Sequence, residues 1–106
     1  MPTSYIIVDI SVSNAEAYDQ YKALAPAAVA GAGGEFVARG GRLRVLEGDW
    51  QPTRIVVLRF PSYEHACAFY DSALYTEARA RRTGATQRFN MVVVEGLGDA
   101  AVAHFG

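Results

Sequence analysis

Arginines, tyrosines and carboxylates are the side chains of this sequence that could carry out chemistry. Nine of the ten basic residues are arginines, with Lys22 the exception, and a planar guanidinium suits bidentate recognition of carboxylates. We predict ligand contacts from four residues: Arg39, Ser72, Tyr75 and Arg82. If the protein is an enzyme, we predict proton transfer from one of three residues: Tyr70, Glu47 or Asp9. Such a set would suit a small anionic or phenolic ligand in a cleft between helices and sheet.

The same residues have a second interpretation that involves no ligand. Arginines and acids on a protein surface commonly form ion pairs, and networks of charges are often structural. A high genomic GC content would also enrich arginine over lysine. The sequence alone leaves these interpretations open, and it leaves open whether the arginines line a cleft or a dimer interface.

Other kinds of site find little support in the sequence. The two histidines, His65 and His104, have no second metal ligand at helical spacing, so we expect no metal site and no haem. Cys67 lies in an apolar helical run, which is typical of a buried hydrophobic residue and not of a nucleophile. The glycine pairs lead into strands, unlike phosphate-binding loops, which lead into helices. We therefore expect no cofactor.

The composition narrows the class of protein further. The sequence has 106 residues, 51% of them hydrophobic, which fits one domain with one core. A formal net charge of -1 offers no basic field for nucleic acid or for a membrane surface. No stretch approaches the roughly 18 apolar residues of a membrane span. A single cysteine suits a reducing compartment, so we expect a cytoplasmic protein.

Six segments have the pattern of regular secondary structure. Strands are predicted at 5–12, 35–48, 54–60 and 88–96, where β-branched and alternating apolar residues dominate, and 35–48 is either one long strand or a strand pair. Helices are predicted at 15–34 and 63–82, with Asn14 and Ser62 as N-caps. Pro26 would bend the first helix or divide it in two. Gly40 and Gly41 would form a bulge in the second strand.

The order of these segments predicts the fold. Strand, helix, strand, strand, helix, strand is the order of an α+β, ferredoxin-like βαββαβ sandwich with a four-stranded antiparallel sheet. We assign 1–97 to this domain and 98–106 to a C-terminal tail. Three strands are apolar on both faces, whereas two helices cover only one face of such a sheet. The other face predicts a partner, most simply a homodimer in which a second copy packs sheet against sheet.

A set of linked motifs extends from about Ser4 to Gly96. The motifs are 39-RGG-41, 46-LEGDWQP-52, Arg54, 60-FPSYEHA-66, 70-YDSALY-75, Arg82 and 94-VEG-96. In this combination and order the sequence resembles the small bacterial family known as domain of unknown function 1330. The resemblance implies a dimeric α/β barrel, in which two ferredoxin-like protomers pair their sheets, and it implies no function.

The wider superfamily of dimeric α/β barrels implies an alternative function, on the similarity of the fold alone. It is similar to monooxygenases of the antibiotic-biosynthesis type and to muconolactone isomerases, which bind ligands between helices and sheet. This similarity implies, as the alternative to a protein that only binds a ligand, a cofactor-free isomerase or monooxygenase. Its substrate would be a small aromatic or carboxylate compound.

Overall fold

The computed structural model describes residues 2–98 and confirms the predicted α+β, ferredoxin-like fold. Four strands form one antiparallel sheet in the order β2-β3-β1-β4: β1 Ser4–Val12, β2 Glu35–Arg39, β3 Arg54–Phe60 and β4 Thr86–Glu95. The helices are α1 Ala15–Gly31, α2 Tyr63–Asp71 and α3 Ala73–Arg81. Apart from Gly98, the predicted tail lies outside the described residues. None of the helices within 2–98 is long and apolar enough to cross a membrane.

The core lies between the helices and one face of the sheet. Alternate residues of β1 and β3 point toward the helices and are at most 7% exposed: Ile6, Val8, Ile10, Val56, Leu58 and Phe60. The helices contribute a second set of buried side chains: Tyr18, Tyr21, Ala28, Val29, Phe69 and Tyr75. Because β-branched and aromatic residues pack well on a pleated surface, the same residues favour the strands and fill the core.

The other face of the sheet, which we call the open face, carries no helix. Val57, Ile7 and Val92 are direct cross-strand neighbours in one row of this face. Val92 is 56% exposed, and Val94, in the next row of β4, is 46% exposed. The apolar character of both faces, predicted from the strand sequences, therefore leaves a hydrophobic surface that a single chain does not cover.

Both predicted N-caps are confirmed. The Asn14 Oδ1 atom accepts a hydrogen bond from the Ala17 N–H at 3.0 Å, which begins α1. The Ser62 Oγ atom accepts one from the His65 N–H at 3.1 Å, which begins α2. α1 continues through Pro26 as one helix. The predicted alternative in which Pro26 divides the helix in two is therefore wrong. Buried residues on both sides of the proline hold the helix against the core across the missing hydrogen bond.

The predicted helix 63–82 is instead two helices, divided at Ser72. Ser72 has an extended backbone, with φ -67° and ψ 154°. Its hydroxyl donates to the Phe69 carbonyl at 2.8 Å and accepts from the Tyr75 N–H at 3.1 Å. One side chain thus caps the end of α2 and the start of α3. Serine competes in this way with helical hydrogen bonds, and the spacing of apolar residues does not report it.

The strand predicted at 35–48 is shorter in the structure. β2 ends at Arg39, and 40–53 contains neither helix nor strand. Gly40 has φ +69°, a left-handed conformation outside the range of a regular strand. The bulge in β2 lies between Phe36 and Ala38 and not at the glycine pair.

Candidate functional site

A cavity of about 530 Å³ opens beside strand β4 and is lined by residues of α2, the end of α3, β1 and β4. β4 is an edge strand, so it has no strand neighbour on its outer side. The apolar lining includes Ile6, Ala66, Phe89, Met91 and Val93. The polar lining consists of Cys67, Tyr70, Asp71, Arg82 and Asn90. The volume is in the range of small-molecule sites, which combine an apolar wall with a few polar groups.

Arg82 brings a positive charge to this cavity. It follows α3 directly, and its guanidinium lies over the Phe89 ring, 3.6 Å from the ring centroid. Its Nε atom is buried and has no hydrogen-bond partner within the described chain. No carboxylate of residues 2–98 lies within 4.0 Å of its guanidinium. The charge of this guanidinium is therefore not paired with a carboxylate of the described residues, and guanidinium groups pair well with anions.

Tyr70 and Asp71 place two ionisable groups at the same cavity. Both lie in the last turn of α2, and Tyr70 is 37% exposed. The Arg79 guanidinium lies 4.4 Å from the centroid of the Tyr70 ring. Cys67, one turn earlier, is half-buried and lines the cavity, whereas the sequence predicted a buried residue. A phenol and a carboxylate near a guanidinium form a set of groups that could bind an acid or move a proton.

Tyr75, predicted as a ligand contact, lies in the core beside the cavity and is 0% exposed. Its hydroxyl shares a hydrogen bond of 2.7 Å with the Tyr21 hydroxyl. Its ring centroid lies 4.4 Å from that of Phe69. Burial, assisted by the neighbouring Tyr75 hydroxyl, raises the pKa of Tyr21 well above its usual range. The Tyr21 hydroxyl is therefore neutral at physiological pH, and the pair forms a buried hydrogen bond within the core.

The structure places Ser72 and Glu47, two further predicted site residues, away from the cavity lining. The Ser72 hydroxyl makes the two helix caps described above. Glu47 lies in the exposed segment 40–53. Neither residue therefore meets Arg82 at this cavity.

Asp9, the remaining carboxylate candidate, lies on the open face. Arg88 donates to it from Nε at 3.0 Å and from Nη2 at 3.1 Å, and Trp50 Nε1 donates at 3.0 Å. Burial acts to raise the pKa of Asp9, but the hydrogen bonds from Arg88 and Trp50 and the charge of Arg88 outweigh it and lower that pKa. Asp9 is thus an ionised anchor that ties the segment 40–53 to the sheet through Trp50.

Arg39 lies at a different and smaller cavity of about 30 Å³, between α1 and strands β2 and β3. Arg54, Lys22 and Tyr18 line the same cavity. The structure therefore separates Arg39 from Arg82, which the sequence had grouped as anion binders. Arg54 was not among the predicted ligand contacts, although alternation along β3 from the buried Val56 would have placed it on the helix side.

Phe89 is a further residue of the larger cavity that the sequence did not indicate. The alternation of Phe89, Met91 and Val93 along β4 could have indicated the helix-facing side of that strand. It could not have indicated that the space between β4 and α2 stays open, because that depends on how the two helices pack.

Comparison with known proteins agrees with this fold. A family model described as domain of unknown function 1330 matches residues 3–97. The chain is similar in structure to a protein of unknown function from Rhodopseudomonas palustris, with a TM-score of 0.74 and 18% identity over 92% of this chain and 84% of that chain. No curated protein matches the sequence significantly.

Two other solved structures are also similar. One is a cofactor-independent oxygenase from Streptomyces nogalater, with a TM-score of 0.60 and 11% identity over 92% of this chain and 96% of that chain. The other is a dimeric protein of unknown function with a ferredoxin-like fold from Bacteroides fragilis, with a TM-score of 0.56 and 10% identity over 88% of this chain and 95% of that chain. At such low identity these similarities show the fold alone.

Proposed function

This chain belongs to the domain of unknown function 1330 family, and from that premise we propose that it binds a small anionic or phenolic ligand in the Arg82 cavity. The observation that carries the proposal is the state of Arg82 itself. Its guanidinium lies at a cavity of about 530 Å³, has a buried Nε without a hydrogen-bond partner, and has no carboxylate within 4.0 Å among the described residues.

The lining favours an aromatic or branched acid over a sugar or a nucleotide. Met91, Val93 and Ala66 offer apolar surface, and Phe89 supports the guanidinium from one side. A ligand with an apolar body and one acidic group would cover the apolar surface and pair with Arg82. We place this binding in the cytoplasm, because the single Cys67 suits a reducing compartment.

Replacing Arg82 by glutamine is expected to weaken the binding of benzoate roughly 10- to 100-fold, because a hydrogen bond to a charged group contributes about 1.5–3 kcal/mol. Isothermal titration calorimetry of the purified protein with benzoate and, in parallel, with phenol measures the effect. A larger loss for benzoate than for phenol would identify the carboxylate as the group that pairs with Arg82.

Arg81→Gln is the matched control for this experiment. Arg81 is the neighbouring residue, but it is exposed and pairs with Glu77 at 3.4 Å. We expect Arg81→Gln to bind as the wild type does. Equal affinities for wild type and Arg82→Gln, or no binding of either compound to the wild type, would contradict the proposal.

The functional unit that we propose is a homodimer through the open face. The row of Val57, Ile7 and Val92 lies on the sheet with no helix over it. A similar structure, from Bacteroides fragilis, is described as dimeric. A second copy of the same surface would bury this apolar row by two-fold symmetry.

A cofactor-free isomerase or monooxygenase is the alternative, and the specific observation in its favour is the position of Tyr70. Its phenol lines the same cavity as Arg82, and so does the Asp71 carboxylate. One of the similar structures is described as a cofactor-independent oxygenase. An acid held by Arg82 would lie at the cavity where Tyr70 could donate or accept a proton.

Under this alternative, Tyr70→Phe is expected to lower turnover roughly 100-fold or more while the affinity for the bound compound changes little, because general acid–base catalysis contributes about that much. Oxygen uptake and proton exchange with D₂O, measured on hydroxylated benzoates that bind, report the two reaction types. If compounds bind tightly but none is turned over, the enzyme hypothesis is rejected and the protein only binds its ligand.

A further inference from the structure

A second concentration of positive charge lies where α1 meets β2 and β3. Arg39 and Arg54 line the cavity of about 30 Å³ there, together with Lys22 and Tyr18 of α1. No acidic residue is part of this lining. Lys22 is paired with the exposed Asp19 at 3.6 Å, but neither arginine has a carboxylate within 4.0 Å among residues 2–98.

Arg54 is held in a fixed position at this place. Its guanidinium lies against the Gly40 backbone, in the space that a β-carbon would occupy. Gly40 has φ +69° and donates its N–H to the Ile55 carbonyl at 3.0 Å, so the strand end that supports Arg54 is itself hydrogen-bonded. The Nε atom of Arg54 is buried and has no hydrogen-bond partner in the described part of the chain.

Arg39 is ordered by a different contact. Its guanidinium lies 4.3 Å from the centroid of the Phe36 ring, which keeps the side chain on the helix side of β2. Tyr18 adds a hydroxyl between the two arginines and α1. All three side chains line the same cavity. Burial raises the pKa of Tyr18, and the charges of Arg54 and Arg39 act in the opposite direction.

From this arrangement we infer a second binding site, in which Arg54, Arg39 and Tyr18 hold the oxyanion end of a small molecule, a carboxylate or a phosphate group. Two guanidinium groups and a hydroxyl offer several donors to one oxyanion, and planar guanidinium groups bind such groups in a bidentate manner. The site is separate from the Arg82 cavity and does not depend on the function proposed for it.

The size of the inner space limits what the site can hold. About 30 Å³ accommodates roughly one or two waters, so only the charged end group fits beside the arginines. Lys22 and Arg39 are exposed members of the lining, so the rest of the molecule would extend toward solvent on their side. The site therefore selects for a terminal charge and not for the body of the ligand.

Titration of the wild type with inorganic phosphate and, separately, with acetate tests the inference at constant ionic strength. In ¹H–¹⁵N spectra the Gly40 N–H and the Arg54 Nε–H signals are expected to shift and to saturate with at least one of the two anions. Arg54→Gln and Arg39→Gln are each expected to weaken that binding roughly tenfold or more, because each removes charge-assisted hydrogen bonds. The tighter of the two anions identifies the end group.

Three control variants make the result specific. Arg42→Gln and Arg44→Gln remove exposed arginines of the segment 40–53 that do not line the cavity, and Arg82→Gln removes the cation of the other site. All three are expected to bind the anion as the wild type does. Three outcomes would overturn the inference: signal shifts that never saturate, signal shifts that become smaller by the same amount in Arg42→Gln and Arg54→Gln, or signal shifts that are absent in Arg82→Gln. Should Arg54→Gln fail to fold, Arg54→Lys keeps the charge without the planar fork, and unchanged affinity in a folded Arg54→Lys variant would also overturn it.

Discussion

Replacement of Tyr75 by alanine is expected to lower the free energy of unfolding by about 3–5 kcal/mol, the cost of deleting a large aromatic side chain from a packed core. Tyr75 is 0% exposed, and its ring centroid lies 4.4 Å from that of Phe69 and 5.8 Å from that of Tyr70. Urea denaturation followed by circular dichroism should show a lower midpoint with an unchanged slope. A domain of ordinary stability, about 5–15 kcal/mol, would lose a large part of it.

Conservative variants separate the ring of Tyr75 from its hydroxyl. Tyr75→Phe leaves the buried Tyr21 hydroxyl without its partner at 2.7 Å, which costs about 1–3 kcal/mol. Tyr21→Phe combined with Tyr75→Phe removes both hydroxyls, so the double variant should lose less stability than the sum of the single variants. Tyr75→Ala with wild-type stability would contradict the buried position and would return Tyr75 to the set of accessible ligand contacts.

Replacement of Val92 by glutamate is expected to convert the proposed dimer into a monomer. Val92 is 56% exposed in the single chain, so the substitution leaves the core of the protomer intact. In a sheet-to-sheet dimer it would bury an unpaired charge in each protomer, and unpaired buried charges cost several kcal/mol, or roughly a hundredfold or more in the dissociation constant. Light scattering at micromolar concentration should give a mass near 11.5 kDa for Val92→Glu and twice that mass for the wild type.

Leu74→Glu is the matched control for the dimer. Leu74 is 53% exposed but lies in α3, on the helix layer away from the open face. The same introduced charge there should leave the mass of the dimer unchanged. A wild type that is itself monomeric at micromolar concentration would refute the sheet-to-sheet dimer, and dissociation by Leu74→Glu would place the interface on the helices.

Local sequence patterns could predict those parts of the fold that depend on contacts between residues close in sequence. The strand 54–60 matches β3, and both N-caps lie where the sequence placed them, because a cap is a contact between residues three positions apart. The errors also have local causes, but ones that periodicity does not show. The Ser72 hydroxyl donates to the end of α2 and accepts from the start of α3, and the left-handed Gly40 ends a strand whose apolar alternation continues beyond it.

The sequence predicted one set of candidate site residues, and the structure distributes that set over several places in the fold. Arg82 and Tyr70 line the larger cavity with the Asp71 carboxylate, and Arg39 lies at a smaller cavity whose lining contains no carboxylate. Asp9 is held by Arg88 and Trp50 on the open face. The sequence did not indicate Phe89 or Arg54 as ligand contacts, because neither residue interrupts the pattern of its strand.

The sequence by itself determined the order of strands and helical segments, the N-caps Asn14 and Ser62, and the apolar character of both sheet faces, because periodicity and capping chemistry act over a few residues. Only the tertiary structure decided which polar side chains meet. Tyr21 and Tyr75 are 54 positions apart, and Asp9 and Arg88 are 79 positions apart. Such pairs depend on the strand order β2-β3-β1-β4 and on how the helices pack across it, and a local pattern contains neither.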